Sequence, residues 1–190
     1  MSDNSSIAQQ RIQDAVDELS RVRESDPARG HYKGEDLGGL ACKEIPQFEG
    51  ITTLDTLYAV LRQAWRAETA YKECQPDWQP SDPTYGQCAI TACLVSDMFG
   101  GSIHKINLKE GGTHYFNKLN GQYVDLTREQ FTLYNYQIQE EPNKEIPRRL
   151  CCTGRDAKRR YIQLQKNIML YLGKGLIENN ESAVSQEKPK

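Results

Sequence analysis

From Gln87 to Phe99 the chain is apolar nearly all round: Ala89, Ile90, Ala92, Cys93, Leu94, Val95, Met98 and Phe99 leave no polar face. A helix of that kind has to be buried, so the remaining elements must be built around it. Gly100-Gly101 marks its end, as glycine does past a helix C-terminus. Gly86 and Cys88 stand at its start. A cysteine there meets free N–H groups and the positive end of the helix dipole, which favour the nucleophilic thiolate. The alternative is a buried structural cysteine, the role expected of Cys93 inside the helix.

Beyond the two glycines the chain reads as strand. Residues 102–108 alternate loosely, then come His114–Leu119, Asn120-Gly121 and Gln122–Leu126. Asn-Gly between two such runs is a strong hairpin signal. A two-residue turn pairs Leu119 with Gln122, Phe116 with Asp125 and His114 with Thr127. His114, Phe116 and Asp125 then share one face, with His114 and Asp125 as diagonal neighbours that side chains can span. A one-residue slip would separate them. An aspartate holding one imidazole nitrogen fixes the tautomer and frees the other to take a thiol proton. Cys88, His114 and Asp125 therefore form a candidate triad of nucleophile, base and orienting group. Gly86 would admit a substrate, and the Cys88 amide would meet its oxyanion. Gln87 is a further candidate donor, and Trp78 either lines a pocket or pins its loop. His104 has no obvious acidic partner and reads as structural.

The other elements are plainer. Residues 7–23 carry a helical stripe of Ile7, Ile12, Ala15, Val16 and Leu19, expected as a surface or docking helix. Five glycines and two prolines over 25–50 predict irregular structure, so 1–50 is expected as an N-terminal extension without chemistry. A helix is expected over about 54–70, with Thr52 and Asp55 resembling a capping box and Trp65 in the core. Pro76, Pro80 and Pro83 stiffen the loop over 72–85. Residues 132–150 are expected as a short strand or a covering loop, and Arg155–Leu172 as a helix. The expected organisation is an α+β domain over 51–177, a Cys-bearing helix on a small antiparallel sheet, and a disordered tail over 178–190.

The pattern resembles the transglutaminase-like branch of the papain-type fold. Gly86-Gln87-Cys88, His114-Tyr115-Phe116 and Asp125-Leu126-Thr127 match its three motifs in order. Residues 54–172 further resemble the YunG-like family of uncharacterised bacterial proteins. Tyr85–Ala92, Phe99-Gly100-Gly101, His114–Asn117 and Asp125–Phe131 carry that likeness, with Trp65 and Trp78 where the family tends to have tryptophan. Ala89 stands where transglutaminases proper have tryptophan, and Leu126 where they have proline. The resemblance thus implies a papain-like fold and triad without implying transglutaminase activity.

The expected function is a cysteine-dependent hydrolase or acyltransferase acting on an amide, peptide or isopeptide bond, in a small substrate or a protein. It requires no cofactor. The alternative is a non-catalytic binding module on the same fold. A metal site has scattered ligands in Cys74, Cys88, Cys93, His104, His114, Cys151 and Cys152 but no CxxC spacing, and is not expected. A net charge of −2 argues against nucleic acid, the basic residues Arg148 to Arg160 reading as a solvated helix face. The apolar run over 88–99 is too short to span a membrane. Six cysteines without a secretion signal suggest reduced thiols and a cytoplasmic setting.

Overall fold

A computed structural model describes residues 2–109 and 111–174; the tail expected over 178–190 lies outside them. The described elements run α1 (Ser2–Ser25), α2 (Leu54–Ala64), α3 (Cys88–Phe99), β1 (Ser102–Asn107), β2 (Thr113–Leu119), β3 (Gln122–Val124), α4 (Glu129–Thr132), β4 (Lys144–Ile146), α5 (Arg148–Cys151) and α6 (Arg155–Tyr171). The fold class is α+β. The four strands form one antiparallel sheet in the order β3-β2-β1-β4.

α3 is the centre, as its lack of a polar face demands. Ile90, Leu94, Val95 and Met98 enter a core shared with α1, α2 and α6, where Leu54, Leu57, Tyr58, Leu61, Trp65, Leu164 and Ile168 are fully buried. Its other side, through Ala92 and Cys93, meets Ile103 of β1, Ile146 of β4 and Cys151. Asn117 Nδ2 of β2 donates to the Ala92 carbonyl at 2.9 Å and pins the sheet to the helix. Gly100, at φ 76°, ends α3 in a backbone conformation that L side chains seldom adopt.

The expected helix over 54–70 stops at Ala64. Trp65 turns extended, and its buried indole Nε1 donates to Thr91 Oγ1 of α3 at 3.1 Å. That bond satisfies the indole in the core, where burying it unpaired would be costly. The capping box is Thr53 with Thr56, not Thr52 with Asp55. Asp55 is taken by Tyr32, whose hydroxyl donates to Oδ1 at 2.6 Å.

The N-terminal segment expected as an extension over 1–50 packs, from Ala8 onward, into the main core. Ala8, Ile12, Ala15, Leu19, Tyr32 and Phe48 are buried in the main core. The irregular stretch is held by backbone pairing, which composition does not reveal: Lys33 and Asp125 exchange N–H···O bonds of 3.2 and 3.0 Å, and Cys42 N donates to Thr52 O at 3.0 Å. Lys33 thereby continues the sheet edge beyond β3, and it does so at a residue of the candidate triad. No helix among the described residues is long and apolar enough to cross a membrane.

Candidate functional site

The hairpin has the expected register, Leu119 opposite Gln122 and Asn117 opposite Val124. Asp125 therefore emerges on the His114 face, and His114 Nε2 lies 2.7 Å from Asp125 Oδ2. Both side chains are buried, at 1% and 2% exposure. Asp125 Oδ1 accepts from the Thr127 amide at 3.0 Å and the Thr127 hydroxyl at 2.9 Å, so Thr127 serves the carboxylate and does not cap a helix. Arg128 Nε stands 3.4 Å from Oδ2. Phe131 meets the His114 ring edge-on at 4.7 Å between centroids, and Phe116 stacks at 6.2 Å. Packing and hydrogen bonds together leave the imidazole little freedom.

These contacts set the charges. Burial opposes a charged His114, but Asp125 and then Cys88 outweigh it and raise its pKa to about 10. Burial likewise opposes the Asp125 carboxylate, yet His114, Arg128 and Thr127 hold its pKa below the ordinary value. Near neutrality the pair is imidazolium and carboxylate. With Nε2 committed to Asp125, Nδ1 is the nitrogen left to face Cys88.

Cys88 is the first residue of α3 and is partly exposed. Its amide has no intrahelical acceptor at that position. Its thiol is 4.0 Å from the Thr113 carbonyl, beside the strand that carries His114. Cys88 and His114 line a cavity of about 780 Å³, with Tyr71, Cys74, Tyr85, Gly86, Tyr115, Gln130, Phe131 and Arg160 among its other walls. That size suits a small-molecule or side-chain ligand.

Two expected site residues are placed elsewhere. Gln87 is fully buried, and its Nε2 donates to the Arg66 carbonyl at 3.0 Å, away from the cavity walls. Trp78 pins its own loop, Nε1 donating to Pro83 O at 3.2 Å, and lines no part of the cavity. His104 is a structural histidine between Ser102 Oγ at 2.8 Å and Asn143 Oδ1 at 2.7 Å. The run of basic residues is not wholly a solvated face. Arg160 is 3% exposed, bonded to Asp156 Oδ2 at 2.7 Å and Thr69 O at 3.2 Å, and forms cavity wall. Gln130 bridges the two halves of the site, Nε2 donating to Thr127 O at 2.8 Å and Oε1 accepting from the Gly86 amide at 3.4 Å.

Gly86 is needed as glycine. Its φ is +71°, and a Cβ there would lie 2.7 Å from Cys74 Cβ and 3.1 Å from the Tyr71 amide. Gly86→Ala is expected to destabilise the fold by about 2–4 kcal/mol, from positive-φ strain plus overpacking. A urea midpoint unchanged from wild type would contradict this close approach.

Residues 53–173 match the family model described as YunG protein. The uncharacterized protein YunG of Bacillus subtilis (strain 168) is 38% identical over 72 residues, which make up 38% of this chain and 57% of that protein. No solved structure matches the chain. The family match contains all of Cys88, His114 and Asp125, and excludes the whole N-terminal segment, whose Lys33 pairs with Asp125. The chain is a member of the YunG family.

Proposed function

We propose that the chain is a thiol hydrolase or acyltransferase of papain/transglutaminase-like organisation, acting on an amide, peptide or isopeptide bond. The observation that carries this reading is an imidazole held by a buried aspartate and lining one cavity with a helix-start cysteine. In the mechanism, the Cys88 sulfur attacks the substrate carbonyl carbon. Electrons move to the carbonyl oxygen, which the free Cys88 amide helps to hold. The imidazolium of His114 gives its proton to the departing amine as the C–N bond breaks, leaving an acyl-thioester. Neutral His114 then takes a proton from water or an acceptor amine, whose attack releases the acyl group and restores the thiolate. Asp125 orients the ring and stabilises its charged form throughout. The chemistry calls on no cofactor, and reduced thiols suit a cytoplasmic setting.

The test is the rate of iodoacetamide alkylation at each cysteine, mapped by mass spectrometry, in wild type and His114→Ala. At about pH 6, where ordinary thiols are almost wholly protonated, Cys88 should react at least about tenfold faster than partly exposed Cys42 and Cys74. His114→Ala should abolish that lead. Equal rates at all three cysteines in both proteins would sink the proposal.

A further inference from the structure

Three of the chain's cysteines converge away from the candidate triad. The sulfurs of Cys93, Cys151 and Cys152 lie within 4.8 Å of one another, with Cys93 and Cys152 2.9 Å apart. Cys93 belongs to α3, while Cys151 closes α5 and Cys152 follows it. Adjacent side chains normally diverge on regular backbone. Here Cys152 leaves the helical conformation, at φ −125° and ψ 50°, and both sulfurs turn toward the Ala89 carbonyl, at 3.4 and 3.8 Å. Cys93 and Cys151 are buried and Cys152 is partly so.

We infer that Cys93, Cys151 and Cys152 form a trithiolate site for a thiophilic d¹⁰ cation, Zn²⁺ or Cu⁺. Metal–sulfur bonds of about 2.3 Å place bound sulfurs about 3.8–4.0 Å apart. The present spacing reaches that by opening the Cys93–Cys152 pair by about 1 Å, within the reach of χ1 rotation. An all-sulfur donor set selects soft metals over Mg²⁺ or Ca²⁺. Zn²⁺ would complete four-coordination with the Ala89 carbonyl or water, whereas Cu⁺ is satisfied by three sulfurs. Arg148, paired with Asp97, acts electrostatically on Cys93 and Cys152 and offsets part of the thiolate charge. Binding needs all three sulfurs as thiolates, so it releases the protons they still carry, and it fastens α5 to the helix that bears Cys88.

The test is titration of the reduced, full-length protein with Zn²⁺ against a chromogenic chelator, and separately with Cu⁺ delivered from a chelator complex. Wild type and Cys88→Ser should each hold one equivalent of one of these ions. Cys93→Ser and Cys152→Ser should lose on the order of 100-fold in affinity. X-ray absorption of the loaded wild type should report three sulfur neighbours, independently of how the variants fold. No stoichiometric binding, or binding that survives in the Cys93→Ser/Cys152→Ser double variant, overturns the inference. So does loss of the ion in Cys88→Ser, which would assign the metal to the other site. A protein that holds no ion when reduced, yet forms a Cys93–Cys152 disulfide with a small-molecule disulfide oxidant, also overturns it.

Discussion

Asp125→Ala is expected to cost about 3–5 kcal/mol of stability near pH 6, with the cost shrinking as the pH approaches that of His114 deprotonation. In the wild type, His114 titrates in the folded state at about 10, above its unfolded value of 6.5. A raised histidine pKa gives stability that is complete below about pH 6.5 and is lost as pH rises through about 10. Asp125, with a lowered pKa, contributes above its ordinary value and loses that contribution as pH falls through the folded one. Removing the carboxylate takes away the larger of the two influences that hold His114 charged. Burial then opposes the imidazolium with only Cys88 left in its favour, so the His114 pKa falls and the stability it lends in mild acid shrinks. The gap between the two proteins should be widest in mild acid. A floor remains at high pH, because the Thr127 amide and hydroxyl lose their shared acceptor. Urea unfolding at three pH values measures this, and a gap independent of pH would refute the ion pair. Asp125→Asn keeps an oxygen for Thr127 and should recover the floor alone. Both variants should also slow Cys88 alkylation, since the imidazolium beside it is lost.

The parts of the fold legible in the sequence are those with a period or a turn code. α3 declares itself by having no polar face, and Asn120-Gly121 fixes the hairpin register that brings His114 to Asp125. What stays illegible is held by backbone bonds and by single residues. Lys33 grips Asp125 through its main chain, so its side-chain identity carries no signal. Trp65 ends α2 early to reach Thr91, a tertiary bond that outweighs local helix preference.

The candidate site is legible to the same degree and for the same reason. Cys88 and His114 sit on regular elements and Asp125 directly follows β3, so spacing predicts their positions. Gln87 adjoins Cys88, but the start of a helix turns neighbouring side chains apart, and it is committed to Arg66. Gln130 and Arg160 stand in polar runs that resemble solvent-facing chain, and only the fold brings them to the cavity. The thiol cluster joins residues 59 positions apart, a distance no ligand-spacing rule covers.

Glu129→Ala is the second change expected to have a large effect, about 3–5 kcal/mol. Glu129 is fully buried and paired with Arg62 of α2, whose side chain is 10% exposed. Tyr58 also donates to Glu129 Oε2, at 3.2 Å, while Oε1 has no partner among the described residues. Alanine would leave the guanidinium uncompensated in the core, where a lone charge is costly. The pair itself need not be stabilising, because both ions lose hydration. The double variant Arg62→Met/Glu129→Leu should therefore lie closer to wild type in stability than Glu129→Ala does. The pair also anchors the chain just after Thr127 and Arg128, so the same ordering is expected in Cys88 reactivity. Glu129→Ala should loosen Asp125 and slow alkylation, and the double variant should regain part of the rate. Urea unfolding and alkylation of both proteins test this together. A double variant less stable than the single would mean that the ion pair holds α2 to the site by its own net attraction.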